Sequence, residues 1–107
     1  MRILDLSLTY HWYDMIASGV KKEEYREIKE FYIKRFQDFS KLSIHNDAFQ
    51  HYDAVRFHRG QGGKTTMLVE CNGIHIGHGK PEWGAVPGET YFVIELGEIL
   101  EENGSKS

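Results

Sequence analysis

The chain has 107 residues, 40% hydrophobic, 13% aromatic and 27% charged, with a formal net charge of −3. That length suits one domain and lets a single core form without staples, because a chain of this size buries roughly two thirds of its unfolded surface. So many aromatics exclude a chain too polar to collapse, no apolar run approaches the roughly 18 residues of a membrane span, and the acidic balance argues against general electrostatic affinity for nucleic acid.

Residues 2–8 alternate, with Leu4, Leu6 and Leu8 on one face, which predicts a strand with one buried side. Thr9 is placed to cap a short helix, with Leu8 and Tyr13 as a hydrophobic staple and Trp12, Met15 and Ile16 as its apolar stripe. Ser18-Gly19 reads as the helix end. Residues 23–28 predict a second strand, with Glu24, Arg26 and Ile28 on one face and Glu23, Tyr25 and Glu27 on the other.

A second helix is expected over residues 30–39, with Phe31, Tyr32, Phe36 and Phe39 as an imperfect stripe, followed by a polar stretch over 40–50. By spacing, Trp12, Tyr13, Phe31 and Tyr32 read as core, whereas Tyr10 and Tyr25 are the aromatics least suited to burial. Further strands are expected over 52–58, over 65–76 with a bend near Asn72-Gly73, and over 90–96. Residues 77–89, with two prolines and four glycines, read as a loop, and 101–107 as a frayed tail behind a single domain over 1–100. Five or six strands with two or three helices do not alternate as a doubly wound sheet does. The expected class is therefore α+β, mainly β: a small barrel with flanking helices.

Chemistry concentrates in Gly19-Val20-Lys21-Lys22-Glu23-Glu24-Tyr25-Arg26. A glycine turn presents Lys21 at the rim, and Glu24 and Arg26 follow on one strand face. An acid between two cations can bind a phosphate or a polarised carbonyl. The same spacing is also that of a surface ion-pair ladder.

Residues 54–80 carry Arg56, Arg59, Lys64 and Lys80 against Glu70, a local net of +3, while residues 89–107 carry five acids against Lys106, a net of −4. Arg56, His58, Arg59 and Lys64 surround the turn 60–63 and read either as a mobile hairpin tip or as a basic lip for a nucleic-acid backbone. Gly63-Lys64-Thr65 is no phosphate loop, since His58 stands where its first glycine belongs and a strand follows. Cys71, His75 and His78 match no zinc spacing, so no metal and no cofactor are expected. Trp83 either plugs the barrel end or stacks on a base. One cysteine and an acid at position 5 read as a cytoplasmic protein without a signal peptide.

Gly19, Lys21, Glu24 and Arg26 fill the Gly-x-Lys-x-x-Glu-x-Arg signature of the ASCH domain (activating signal cointegrator homology), and residues 3–100 resemble that family. Leu6-Ser7-Leu8, the helix from Trp12 to Ile16 and the closing strand Tyr91–Leu96 add to the resemblance. It implies a PUA-like β-barrel whose signature residues line a cleft that takes RNA, a nucleotide-like ligand or a modified base. Gly19, Lys21, Glu24 and Arg26 would then bind the ligand, assisted by Arg56, Arg59, Lys64 and Trp83. Lys21 would meet a phosphate or base carbonyl, Glu24 an exocyclic amine, and Arg26 would orient Glu24.

Relatives that hydrolyse N4-acetylcytidine use the lysine to activate a threonine, and Glu24 stands where that threonine would be. The alternatives are thus a hydrolase with Lys21, Glu24 and Arg26 as its machinery, either amidohydrolase-like or a ribonuclease, and a protein-interaction module in transcription-related complexes that uses the acidic stretch 95–102.

Overall fold

A computed structural model describes residues 1–40 and 48–104. The elements are β1 (Ile3–Leu8), α1 (Tyr10–Ala17), β2 (Glu23–Glu27), α2 (Glu30–Phe36), β3 (Ala54–Arg59), β4 (Thr66–His78), a 3-10 turn (Pro81–Trp83) and β5 (Thr90–Asn103). The strands form one sheet in the order β1-β3-β4-β5-β2, parallel between β1 and β3 and antiparallel elsewhere. It curls into a half-barrel flanked by the two helices, as expected for a small, mainly β domain. The open side lies between the two outer strands, β1 and β2. No helix among the described residues is long and apolar enough to cross a membrane.

The period-2 pattern of β1 sends Leu4, Leu6 and Leu8 inward to meet Val55 and Phe57 of β3, Met67 and Val69 of β4, and Phe92 and Ile94 of β5. β4 is bent by register shifts between Leu68 and Gly73, and Gly73 takes φ +141°, a value that favours glycine. This bulged strand supplies the curl.

Four expectations change. Thr9 occupies the N-cap of α1 but its hydroxyl makes no cap bond; only its carbonyl is used, accepting from the Tyr13 N–H. The core side of α1 is Tyr13 and Ile16, while Trp12 and Met15 are half-buried on its flank. α2 ends at Phe36 rather than 39, because Gln37 turns extended and bridges to Phe49, leaving Phe39 exposed. Within that shorter helix Phe36 is 0% exposed, packed against Tyr32 and edge-on to Phe92, whereas Phe31 is 56% exposed with Arg35 over its ring. Finally, β5 continues to Asn103, pairing Glu101–Asn103 with Thr66–Leu68, so only residues 105–107 of the expected tail lie outside the described residues.

The split within α2 is measurable. Phe36→Ala should destabilise the fold by about 3–5 kcal/mol in urea unfolding, and Phe31→Ala by no more than about 0.5 kcal/mol. Equal effects would contradict the packing described.

Candidate functional site

The site begins where α1 ends. The Gly19 N–H donates to the Ile16 carbonyl and the Val20 N–H to the Met15 carbonyl, with Gly19 at φ +84°: a Schellman turn. The turn throws Val20 outward and Lys21 inward, and the Lys21 N–H also bonds the Met15 carbonyl. β2 then follows, pairing Glu24 with Ile94 and Arg26 with Phe92, both buried residues of β5. Spacing two on this strand carries Glu24 and Arg26 to the open side of the half-barrel.

The three charges meet there. Lys21 Nζ lies 3.3 Å from Glu24 Oε1, and Arg26 Nη2 lies 2.8 Å from Glu24 Oε2, to which Arg26 Nε also donates at 3.0 Å. Lys21 is not at the rim: it is 1% exposed. Its ammonium donates to the Trp83 carbonyl at 2.7 Å and faces the rings of Trp12 and Tyr25. Burial pushes the Lys21 pKa down, and Glu24 opposes that shift. Burial works against the charge of Arg26, but Glu24 and the Tyr32 hydroxyl together outweigh it and raise the pKa.

Arg26 does a second job. Nη2 donates to the Ser7 carbonyl of β1 at 2.8 Å, and Nη1 donates to the Tyr32 hydroxyl at 3.0 Å. One guanidinium thus spans the opening between β2 and β1 and ties α2 to both. Its fork is committed to the protein, so it offers no second bidentate face to an incoming anion.

Above the triad lies a cleft of about 420 Å³. Glu24, Arg26 and residues 7–9 line it on one side, and Trp12, Tyr25, Tyr32 and Tyr91 supply aromatic walls. Gly84, at φ +104°, completes the wall against Trp12: a Cβ there would stand 3.1 Å from the indole. The loop that carries Gly84 is held by Tyr25, whose hydroxyl accepts from the Lys80 N–H and donates to Glu23. Burial raises the Tyr25 pKa, which keeps that hydroxyl a donor.

The expected site residues therefore divide. Gly19, Lys21, Glu24 and Arg26 belong to one constellation, although Lys21 sits behind the cleft rather than in its wall. Trp83 contributes its carbonyl, while its ring lies under Lys80 and is not a wall residue. Arg56, Arg59 and Lys64 do not line the cleft. Arg56 pairs with Asp5, and Arg59 pairs bidentately with Asp14. Cys71 is buried, His75 faces Glu95, and no three metal-binding groups gather among the described residues.

Trp12 and Tyr32, which helical spacing places in the core, pack against it from partly buried positions and also wall the cleft. Their signal was their polar-tipped aromatic chemistry, suited to half-burial. Tyr91 is found only through its β5 register opposite Glu27. Comparison with family models, curated proteins and solved structures returns no match to this chain.

Removing the shared carboxylate should be costly. Glu24→Ala leaves the Lys21 ammonium buried without its counter-ion, and about 3–5 kcal/mol of stability should be lost. Lys21→Met, which removes the buried charge itself, should cost less than half as much. The pH dependence has a definite sign. The unfolded chain holds the Lys21 proton up to about 10.4, whereas the folded chain releases it at lower pH. Between those points the unfolded state binds more protons, so this lysine's contribution to stability rises with pH. Wild-type stability minus that of Lys21→Met, from urea melts between neutral pH and about 10, should therefore increase; a falling difference would contradict the buried position.

Proposed function

We propose that this chain is a PUA-like domain of the ASCH type that binds a nucleobase-containing ligand, RNA or a modified nucleoside, in the cleft above Lys21, Glu24 and Arg26. The observation that carries the reading is a buried carboxylate facing an aromatic-walled concavity. Trp12, Tyr32 and Tyr91 suit stacking on a flat heterocycle. A carboxylate offers about four acceptor positions. Lys21 and the two Arg26 nitrogens take three of them, which leaves Oε1 of Glu24 able to accept one more donor. An exocyclic amine of cytosine or adenine fits that place. A phosphate does not, because Arg26 is committed and Lys21 stands behind the wall, so Lys21 acts by holding Glu24 rather than by touching the ligand. A lone buried thiol, Cys71, accords with a reducing cytoplasm.

Hydrolysis in the same cleft ranks second. Burial lowers the Lys21 pKa, the direction a general base requires. Against this, Lys21 is shielded from the cleft, and Glu24 has most of its acceptor positions occupied by two cations.

Calorimetric titration with cytidine, adenosine and uridine tests the proposal. Cytidine or adenosine should bind at least about tenfold more tightly than uridine, because uridine presents a carbonyl to Glu24 where the others present an amine. Trp12→Ala should weaken that binding by about tenfold or more through the lost stacking surface. Absence of binding by all three nucleosides would overturn the reading. Acetate released from N4-acetylcytidine by the wild type and not by Lys21→Ala would replace it with the hydrolase.

A further inference from the structure

The cleft follows the free edge of β2. Four successive residues of that strand, Glu24 to Glu27, line it. Successive side chains of a strand point to opposite faces, so the cleft meets both faces of β2. Glu24 and Arg26 belong to one face, Tyr25 and Glu27 to the other. Glu27 pairs with Tyr91 across the β2–β5 ladder, which sets the two side chains on the same face with their Cβ atoms about 5 Å apart. Tyr91 is a wall of the cleft, and Glu27 is exposed beside it.

The two carboxylates of the lining differ in what they hold. Glu24 is buried between two cations. The Glu27 carboxylate has no ion pair or hydrogen bond among the described residues, so both of its oxygens are open to a ligand. Arg26, the third charged residue of the lining, is committed to Glu24, Tyr32 and the Ser7 carbonyl. Lys29 lies 5.6 Å from the centre of the Tyr32 ring and does not line the cleft. Among the described residues, then, no uncommitted cation lines the cleft to meet a phosphate, and Glu27 adds a negative charge that repels one. The three-residue step from Glu24 to Glu27 covers about 10 Å of strand. A nucleoside has that order of length from the exocyclic amine of its base to the hydroxyls of its sugar.

We infer that Glu27 reads the sugar of the ligand: its carboxylate accepts the 2′ and 3′ hydroxyls of a ribose whose base amine meets Glu24, so that the ligand is a free ribonucleoside rather than a nucleotide within an RNA chain. The inference rests on the nucleobase reading of the cleft. Two adjacent hydroxyls match the two oxygens of one carboxylate, and an acid on a ribose hydroxyl is how dinucleotide-binding folds hold that sugar. A phosphodiester on the 3′ oxygen removes one of the two donors and sets a negative charge against Glu27. Glu27 therefore selects the sugar and its free end, while Glu24 selects the base.

The experiment measures calorimetric affinities for cytidine and adenosine, for their 2′,3′-dideoxy forms and for their 3′-monophosphates, with wild type and Glu27→Ala. In the wild type the ribonucleoside should bind at least about tenfold more tightly than its dideoxy form or its 3′-monophosphate, the worth of hydrogen bonds to a charged group. In Glu27→Ala the ratio of nucleoside to dideoxynucleoside affinity should fall to about threefold or less, with dideoxynucleoside affinity unchanged. The ratio is taken within each protein, so a general loss of binding does not imitate the result. Equal wild-type affinity for nucleoside and dideoxynucleoside, or a preference that persists in Glu27→Ala, refutes the sugar contact while the base reading stands. A 3′-monophosphate that binds as tightly as the nucleoside refutes it too and makes the ligand a chain. If neither the nucleosides nor their dideoxy forms bind, the base reading falls with it.

Discussion

A single carboxylate, Glu24, holds two cations that arrive from different directions. Lys21 comes from the turn that ends α1, and Arg26 from one pleat further along β2. Through Lys21 the carboxylate reaches the Trp83 carbonyl and hence the glycine-rich loop; through Arg26 it reaches Ser7 of β1 and Tyr32 of α2. The outer strands β1 and β2 are not neighbours in the sheet, so a side chain does across the opening what a backbone ladder would do in a closed barrel. Such buried ion groups add little net stability, because desolvation consumes most of their attraction. Their consequence here is geometric: β1, β2, α2 and a loop 62 residues beyond Lys21 are brought to one point.

That geometry makes the cleft. An open half-barrel would expose the free edges of β1 and β2, a hazard for mispairing. Arg26 partly covers that opening, and Trp12, Tyr32 and Tyr91 wall what remains. The result is a concavity with an acid in its lining and flat apolar sides, the combination that suits a planar ligand carrying a donor. The same saturation leaves Glu24 a single open acceptor position, on Oε1.

Much of this was legible in the chain. The alternation of Leu4, Leu6 and Leu8 marks β1, Gly19 marks the end of α1, and spacing two places Glu24 and Arg26 together. Those signals are local, and local geometry decides them. The burial of Lys21 was not legible, because it depends on the Trp83 carbonyl arriving from a loop 62 residues away. Helical spacing cannot separate a core aromatic from a cleft wall. Trp12 and Tyr32 therefore read as interior, and Phe31 reads the same way although tertiary packing turns it to solvent. Residues 101–107 read as a frayed tail, yet pairing with β4 extends β5 to Asn103. In each case a long-range contact overrides a local pattern.

The most direct measurement is a crystal structure of the protein with cytidine. The account requires the cytosine ring between the aromatic walls, its exocyclic amine within hydrogen-bonding distance of Glu24 Oε1, and Lys21 still bonded to the Trp83 carbonyl behind it. Cytidine bound elsewhere on the surface, or Lys21 swung out of its pocket to grip the ligand, would contradict it.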